Sequence, residues 1–235
     1  MTCHVAIELA LCVSDVEHFR WLILGLNRGS MSGQEYLERV REKKDQYPGF
    51  SLIAGDCKGL YVFSNRDPSQ TIASIPSGST VGLTNTLLEP GWYKATRGVS
   101  LVQSLETPDP DLLAELASQS DFNVTCSSPS SEVNNIFQPF FQVLEDRTGP
   151  IELQTTSDLY DKAGRYAPIF VDVLSSGPDP NIPKEYGTRC SIAILVDQLD
   201  RVTFYERSLD IESRTWKNRV FHFQASPEAP SNSSE

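Results

Sequence analysis

Two polar residues carry most of the recognisable chemistry in this sequence. They are Asn85, in Gly82-Leu83-Thr84-Asn85, and Arg189, in Tyr186-Gly187-Thr188-Arg189. The planar guanidinium of Arg189 could hold a carboxylate or phosphate bidentately. The competing reading is a structural ion pair, because the chain holds 31 Asp and Glu residues. Asn85 offers a neutral amide, and it reads equally as a turn asparagine that satisfies backbone groups. Other chemistries are harder to build. The histidines His4, His18 and His222 lie near the two ends, so no Ser-His-Asp arrangement can be argued. The five cysteines, Cys3, Cys12, Cys57, Cys126 and Cys190, are irregularly spaced and form no CxxC pair. That argues against a disulfide framework and against structural zinc. Reduced thiols point to a reducing compartment. Neither G-x-x-x-x-G-K-[ST] nor G-x-G-x-x-G occurs, so there is no glycine-rich phosphate loop.

The elements that position these residues follow from local pattern. Phe50–Ala54 and Leu60–Ser64 are apolar runs around Gly55-Asp56-Cys57-Lys58-Gly59, which predicts a hairpin. Asn65-Arg66 reads as a turn. Ser32 to Tyr47 predicts a helix: Ser32 and Glu35 form an S-x-x-E capping box, Tyr36, Leu37, Val40 and Lys44 recur at helical spacing, and Pro48-Gly49 stops the run. Thr71–Ile75 and Thr80–Leu83 are short strand candidates. Lys94–Leu105 and Asp111–Ala117 read as helices, with Trp92, Lys94 and Arg97 as a helix-entry packing motif. Ser118–Ser131 reads as a Ser-rich loop. Glu132–Asp146 is helix-like, with Pro139 expected to kink or divide it. Its Phe cluster fits core packing better than the lining of an apolar pocket. Ala167–Leu174 predicts a strand and Ser175–Tyr186 a loop. Arg189–Val196 and Val202–Arg207 predict a second hairpin, and Phe221-His222-Phe223 a closing strand. Strands separated by helices, with two hairpins, argue an α+β fold with mainly antiparallel sheets.

Composition narrows the partners. The 235 residues suit one domain, and the formal net charge of −11 disfavours nucleic acid, whose backbone needs a basic surface. It equally disfavours docking onto anionic membrane by charge alone. Val5–Val13 is interrupted by Glu8, follows no Lys or Arg, and precedes Asp15 and Glu17, which is unlike a secretory signal. Phe19–Leu26 is too short for a transmembrane segment, which needs about 20 residues. The expected organisation is one domain over residues 1–224, atypical over 1–29, with a Pro/Ser-rich disordered tail at 225–235.

The pieces Gly49-Phe-Ser-Leu-Ile-Ala-Gly-Asp56, Leu60-Tyr-Val-Phe-Ser-Asn-Arg66, Gly82-Leu-Thr-Asn85 and Trp92-Tyr-Lys-Ala-Thr-Arg-Gly98 occur in the order and spacing of a known family. Tyr186–Arg189, Ile192–Asp197 and Val202–Arg207 extend the likeness. The chain resembles the transport and Golgi organisation protein 2 family, also called NRDE after an Asn-Arg-Asp-Glu signature, over roughly residues 28–224. That signature is missing or divergent here: Asn27-Arg28 is followed by Gly29-Ser30. If the family's first strands are lost, a sheet edge or apolar face is left uncovered, and low stability, self-association or replacement by residues 3–26 is expected.

The resemblance implies an αββα sandwich similar to the N-terminal-nucleophile hydrolases, incomplete at its N-terminus. It implies a cytoplasmic protein, Golgi-associated or mitochondrial, linked to Golgi organisation and to protein transport and secretion. Haem or an acyl lipid is the ligand it suggests, with His4, His18, His222 and the cysteines as haem-ligand candidates. The same likeness raises an alternative, an amide hydrolase whose first residue is both nucleophile and base. Met1 removal would expose Thr2, with Cys3 one place behind, and neighbouring strand residues face opposite ways. Asn85 would then be the oxyanion donor and Arg189 a substrate anchor. A third reading is a binding module for an apolar small molecule.

Overall fold

The computed structural model describes residues 31–56, 59–83, 92–106, 125–150, 167–172, 174–175, 185–196 and 201–224. The expected helix at 111–117 and the tail at 225–235 lie outside them. Helix α1 spans Gly33–Glu42, followed by a 3-10 turn at Lys44–Gln46. Its capping box is complete: the Ser32 hydroxyl accepts from the Glu35 amide at 3.2 Å, and the Glu35 carboxylate accepts from the Ser32 amide at 2.8 Å. Two N-terminal donors are thereby satisfied. The Ser32→Ala variant is expected to lose about 1 kcal/mol of unfolding free energy in urea titration.

Helix α1 rests on a three-stranded antiparallel sheet of β1 (Ser51–Asp56), β2 (Gly59–Ser64) and β3 (Ala73–Ile75). Leu37 is fully buried against Leu52, Ala54 and Phe63. Asp56 pairs with Gly59, so the expected five-residue loop narrows to the two positions 57 and 58, because the strands run on. A Cβ on Gly33 would sit 2.8 Å from the Gly55 Cα, so the first turn of α1 approaches β1 backbone to backbone. Asn65 is the turn residue predicted, and its amide also ties three segments together. It accepts from the Phe50 amide at 2.7 Å and donates to the Lys44 and Pro48 carbonyls at 3.1 and 3.2 Å.

The second sheet is four-stranded and antiparallel. Its order is β4 (Thr125–Ser127), β9 (Thr215–Gln224), β8 (Arg201–Asp210), β7 (Cys190–Val196). Helix α2 spans Tyr93–Gln103 and α3 spans Ser131–Leu144. Helix α3 covers one face of this sheet, packing Phe137 and Phe141 around Tyr205, with Ala193, Leu195 and Val220 beneath. The Phe cluster is therefore core. Pro139 does not divide α3, which runs continuously through it. The lost donor is offset by a helix face buried along its length.

Three further expectations are corrected. Thr80–Leu83 is not a strand. Gly82 instead lies against α2, where an added Cβ would stand 2.6 Å from the Ala95 carbonyl oxygen. The Ser118–Ser131 stretch contains β4, which pairs with β9 at Phe221 and His222. Ala167–Leu174 is bent rather than extended, and only Leu174–Ser175 (β5) pairs, with Glu185–Tyr186 (β6). Ile169, Phe170 and Val171 are buried in succession, which an alternating strand face would not permit. Their backbone bonds go elsewhere: Phe170 donates to the Asp146 carbonyl at 2.9 Å, and Val171 donates to the Thr188 hydroxyl at 3.0 Å.

The fold class is α+β with antiparallel sheets, as the sequence predicts. Each sheet also carries an apolar face turned away from its helix. On the first sheet register places Ile53, Val62 and Ile75 there, and on the second Ile192, Val202, Phe204 and Phe221. Val62, Ile75, Ile192 and Val202 are buried.

Candidate ligand site at helix α2

Of the four residues singled out for catalysis, only Arg189 lies among those described. Thr2, Cys3 and Asn85 fall outside them, so the four are not brought together here. Arg189 is half-buried just before β7, and its carbonyl accepts from the Leu209 amide at 2.7 Å. Thr188 beside it is buried, and its amide donates to the Val171 carbonyl at 2.7 Å. The Tyr-Gly-Thr-Arg turn is thus fixed by backbone bonds to both neighbours. Of the haem-ligand candidates, His222 is half-buried in β9, with Nδ1 3.1 Å from the Thr203 hydroxyl. Burial holds its pKa below the ordinary value. Cys190 stands half-buried at the start of β7, and His4 and His18 lie outside the described residues.

Helix α2 holds the more informative arrangement. Its cap, Trp92, makes no side-chain cap bond, and no acidic residue lies in the first turn. The exposed N-H groups and the positive end of the helix dipole are therefore not neutralised by the helix's own residues. Lys94, in that first turn, keeps only 7 % of its surface. Burial lowers its pKa, since desolvation disfavours the ammonium. Trp92, by contrast, is 50 % exposed.

The rest of the motif is structural. Arg97 pairs with Asp146, just past the end of α3, and also donates to the Thr148 hydroxyl at 3.2 Å. Burial alone would raise the Asp146 pKa, but the bonds from Arg97 and Thr148 outweigh it and hold the carboxyl below its ordinary value. Next along the chain, Arg147 bridges to Asp172 at 3.1 Å and stacks 4.2 Å over the Phe170 ring. A connected path therefore runs from α2 through Asp146 and residues 170–171 to Thr188 and Arg189. Two separate sequence motifs share one framework.

The sequence reading grouped Lys94 with Trp92 and Arg97 as packing. Both fit that reading: Arg97 ties α2 to Asp146, and Lys94 is buried on the inner stripe of the helix. The available signal was its helical phase, because Lys94, Ala95 and Gly98 form the buried stripe of α2. A charged residue on such a stripe marks either an ion pair or a ligand position. Among the described residues no group of three His, Cys, Asp or Glu could hold a metal ion, and no helix is long and apolar enough to cross a membrane.

Comparison with known proteins gives a consistent result. The chain is 29% identical to the mouse Transport and Golgi organization 2 homolog over 203 residues, covering 82% of this chain and 63% of that protein. It is 30% identical to the bovine homolog over 206 residues, covering 83% and 63%. The human homolog is 29% identical over 194 residues, covering 80% and 61%. The chain thus spans about 63% of the length of the curated relatives it matches. A family model, Transport and Golgi organisation 2, matches residues 19–211, taking in both hairpins and all of α2 and α3, and on that match the chain belongs to the Transport and Golgi organisation 2 family.

Proposed function

We propose that this protein serves Golgi organisation and protein transport by binding an amphipathic ligand, an acyl lipid or haem, in the cytoplasm or on an organelle surface. The names of its relatives support the transport role. The binding role rests on one observation. Each sheet has a helix on one face and a second face that is also apolar. Two such sheets are suited to facing each other as an αββα sandwich over a single domain, the layering of the N-terminal-nucleophile hydrolases. Apolar ligands enter such interiors readily. The amide-hydrolase alternative needs Thr2 or Cys3 beside Asn85 and Arg189, and Arg189 alone does not carry it.

The test is a titration of the purified chain with haem, followed by absorbance, and with decanoyl-CoA, followed by tryptophan fluorescence. Saturable one-to-one binding of at least one of them is expected. Absence of saturation with both would overturn the reading.

A further inference from the structure

We infer that Ser69 is a phosphorylation site, read by a serine/threonine kinase that selects arginine three residues before the serine. This goes beyond the binding reading above and does not rest on it.

Two stretches of the chain carry Arg-x-x-Ser: Arg66-Asp67-Pro68-Ser69 and Arg97-Gly98-Val99-Ser100. The fold treats them oppositely. A kinase of this class holds its substrate extended, with the arginine paired to carboxylates and the hydroxyl brought to the nucleotide. Ser100 belongs to α2, and presenting it in extended form means unwinding that helix. Its arginine is already committed, since Arg97 pairs with Asp146 just past the end of α3. The fold therefore closes this second motif.

Ser69 lies in the connection of β2 to β3, residues 65–72, outside both helix and strand. Arg66 and Ser69 are both exposed, and the Arg66 side chain lies over the backbone of Gly49. The hydrogen bonds of residues 66–70 are all local. The Asp67 amide donates to the Ser64 carbonyl at 3.3 Å, the Gln70 amide to the Asp67 carbonyl at 3.0 Å, and the Ser69 amide to the Asp67 carboxylate at 2.9 Å. The Ser69 hydroxyl accepts from the Thr71 amide at 3.3 Å. Opening this turn breaks short-range bonds and no strand pairing, so it is available as a local fluctuation. Gln70, the next residue, has a φ of 52°. That left-handed conformation is unfavourable for a side chain of this kind, and extending the segment relieves it. Pro68 fixes its own φ at a value that an extended substrate accepts.

In the transfer the Ser69 hydroxyl oxygen attacks the γ-phosphorus of ATP. The bond from that phosphorus to the β–γ bridging oxygen breaks, ADP leaves, and the hydroxyl proton passes to the aspartate of the kinase.

Incubation of the folded full chain with a calmodulin-dependent protein kinase, Mg²⁺ and ATP, followed by mass spectrometry of the intact chain and of its peptides, tests this. One phosphate per chain is expected, on Ser69, with Ser100 unlabelled. Ser69→Ala should abolish the label and Ser100→Ala should leave it unchanged. Arg66→Ala should slow labelling of Ser69 by about tenfold or more, because the charge-assisted pairing with the kinase is lost. An unlabelled wild type, Ser100 labelled as fast as Ser69, or an Arg66→Ala rate equal to that of the wild type would each overturn the assignment.

Discussion

Replacing Phe141 by alanine is expected to cost about 4 kcal/mol, enough to unfold much of a marginally stable domain. Phe141 is fully buried on the inner face of α3. Its ring stands edge-on to Tyr205 with centroids 4.7 Å apart, and the Arg207 guanidinium lies 3.9 Å from the Phe141 ring centroid. Truncation leaves a cavity that α3 cannot close, because Tyr205 is pinned by its hydroxyl donating to Asn134 at 2.6 Å. It also removes the nearer of the two rings under Arg207, which keeps its bonds to Glu145 at 2.6 Å and Gln138 at 3.3 Å. Phe141→Leu keeps most of the volume and should cost about half as much. Urea titration of both variants measures this. A cost below about 1.5 kcal/mol for the alanine variant would mean that α3 is not the cover of this sheet.

Asp146→Ala should be the next most damaging change, at about 2 kcal/mol. Its carboxylate ties α2 to the end of α3 through Arg97, and it accepts from the Thr148 hydroxyl at 2.6 Å and the Thr148 amide at 3.0 Å. Removing it leaves the partly buried Arg97 without its counter-charge and frees residues 146–148. The pH dependence follows in sign. The folded carboxyl titrates below its ordinary 3.8, so the folded state binds fewer protons than the unfolded chain in that range. The stabilisation is complete above the unfolded value and is lost as pH falls through the folded one. The stability gap between the wild type and Asp146→Asn should therefore be constant near neutrality and shrink below about pH 4. A gap unchanged at acid pH would show that charge is not what Asp146 contributes.

Local grammar was legible in the sequence and long-range pairing was not. Ser32 and Glu35 announce α1 because a capping box is complete within four residues. Both hairpins are legible for the same reason, though β8 and β9 run further than their apolar cores. By contrast, β4 is a strand only because β9 lies beside it. Residues 169–171 look like a strand and are bent because Asp146 and Thr188 take their amides. Arg97 was readable as packing, but its partner Asp146 is distant in sequence. Lys94 was visible as a residue, but its burial on the inner stripe of α2 is a property of the folded chain.

The measurement that tests the account most directly is the heat-capacity change of decanoate binding, taken by calorimetry at several temperatures. If the ligand enters between apolar faces, the titration is saturable and one-to-one, and its enthalpy becomes more negative on warming. Saturable heat with no temperature dependence would place the ligand on a polar surface site, and no saturable heat at any temperature would contradict the binding of acyl chains.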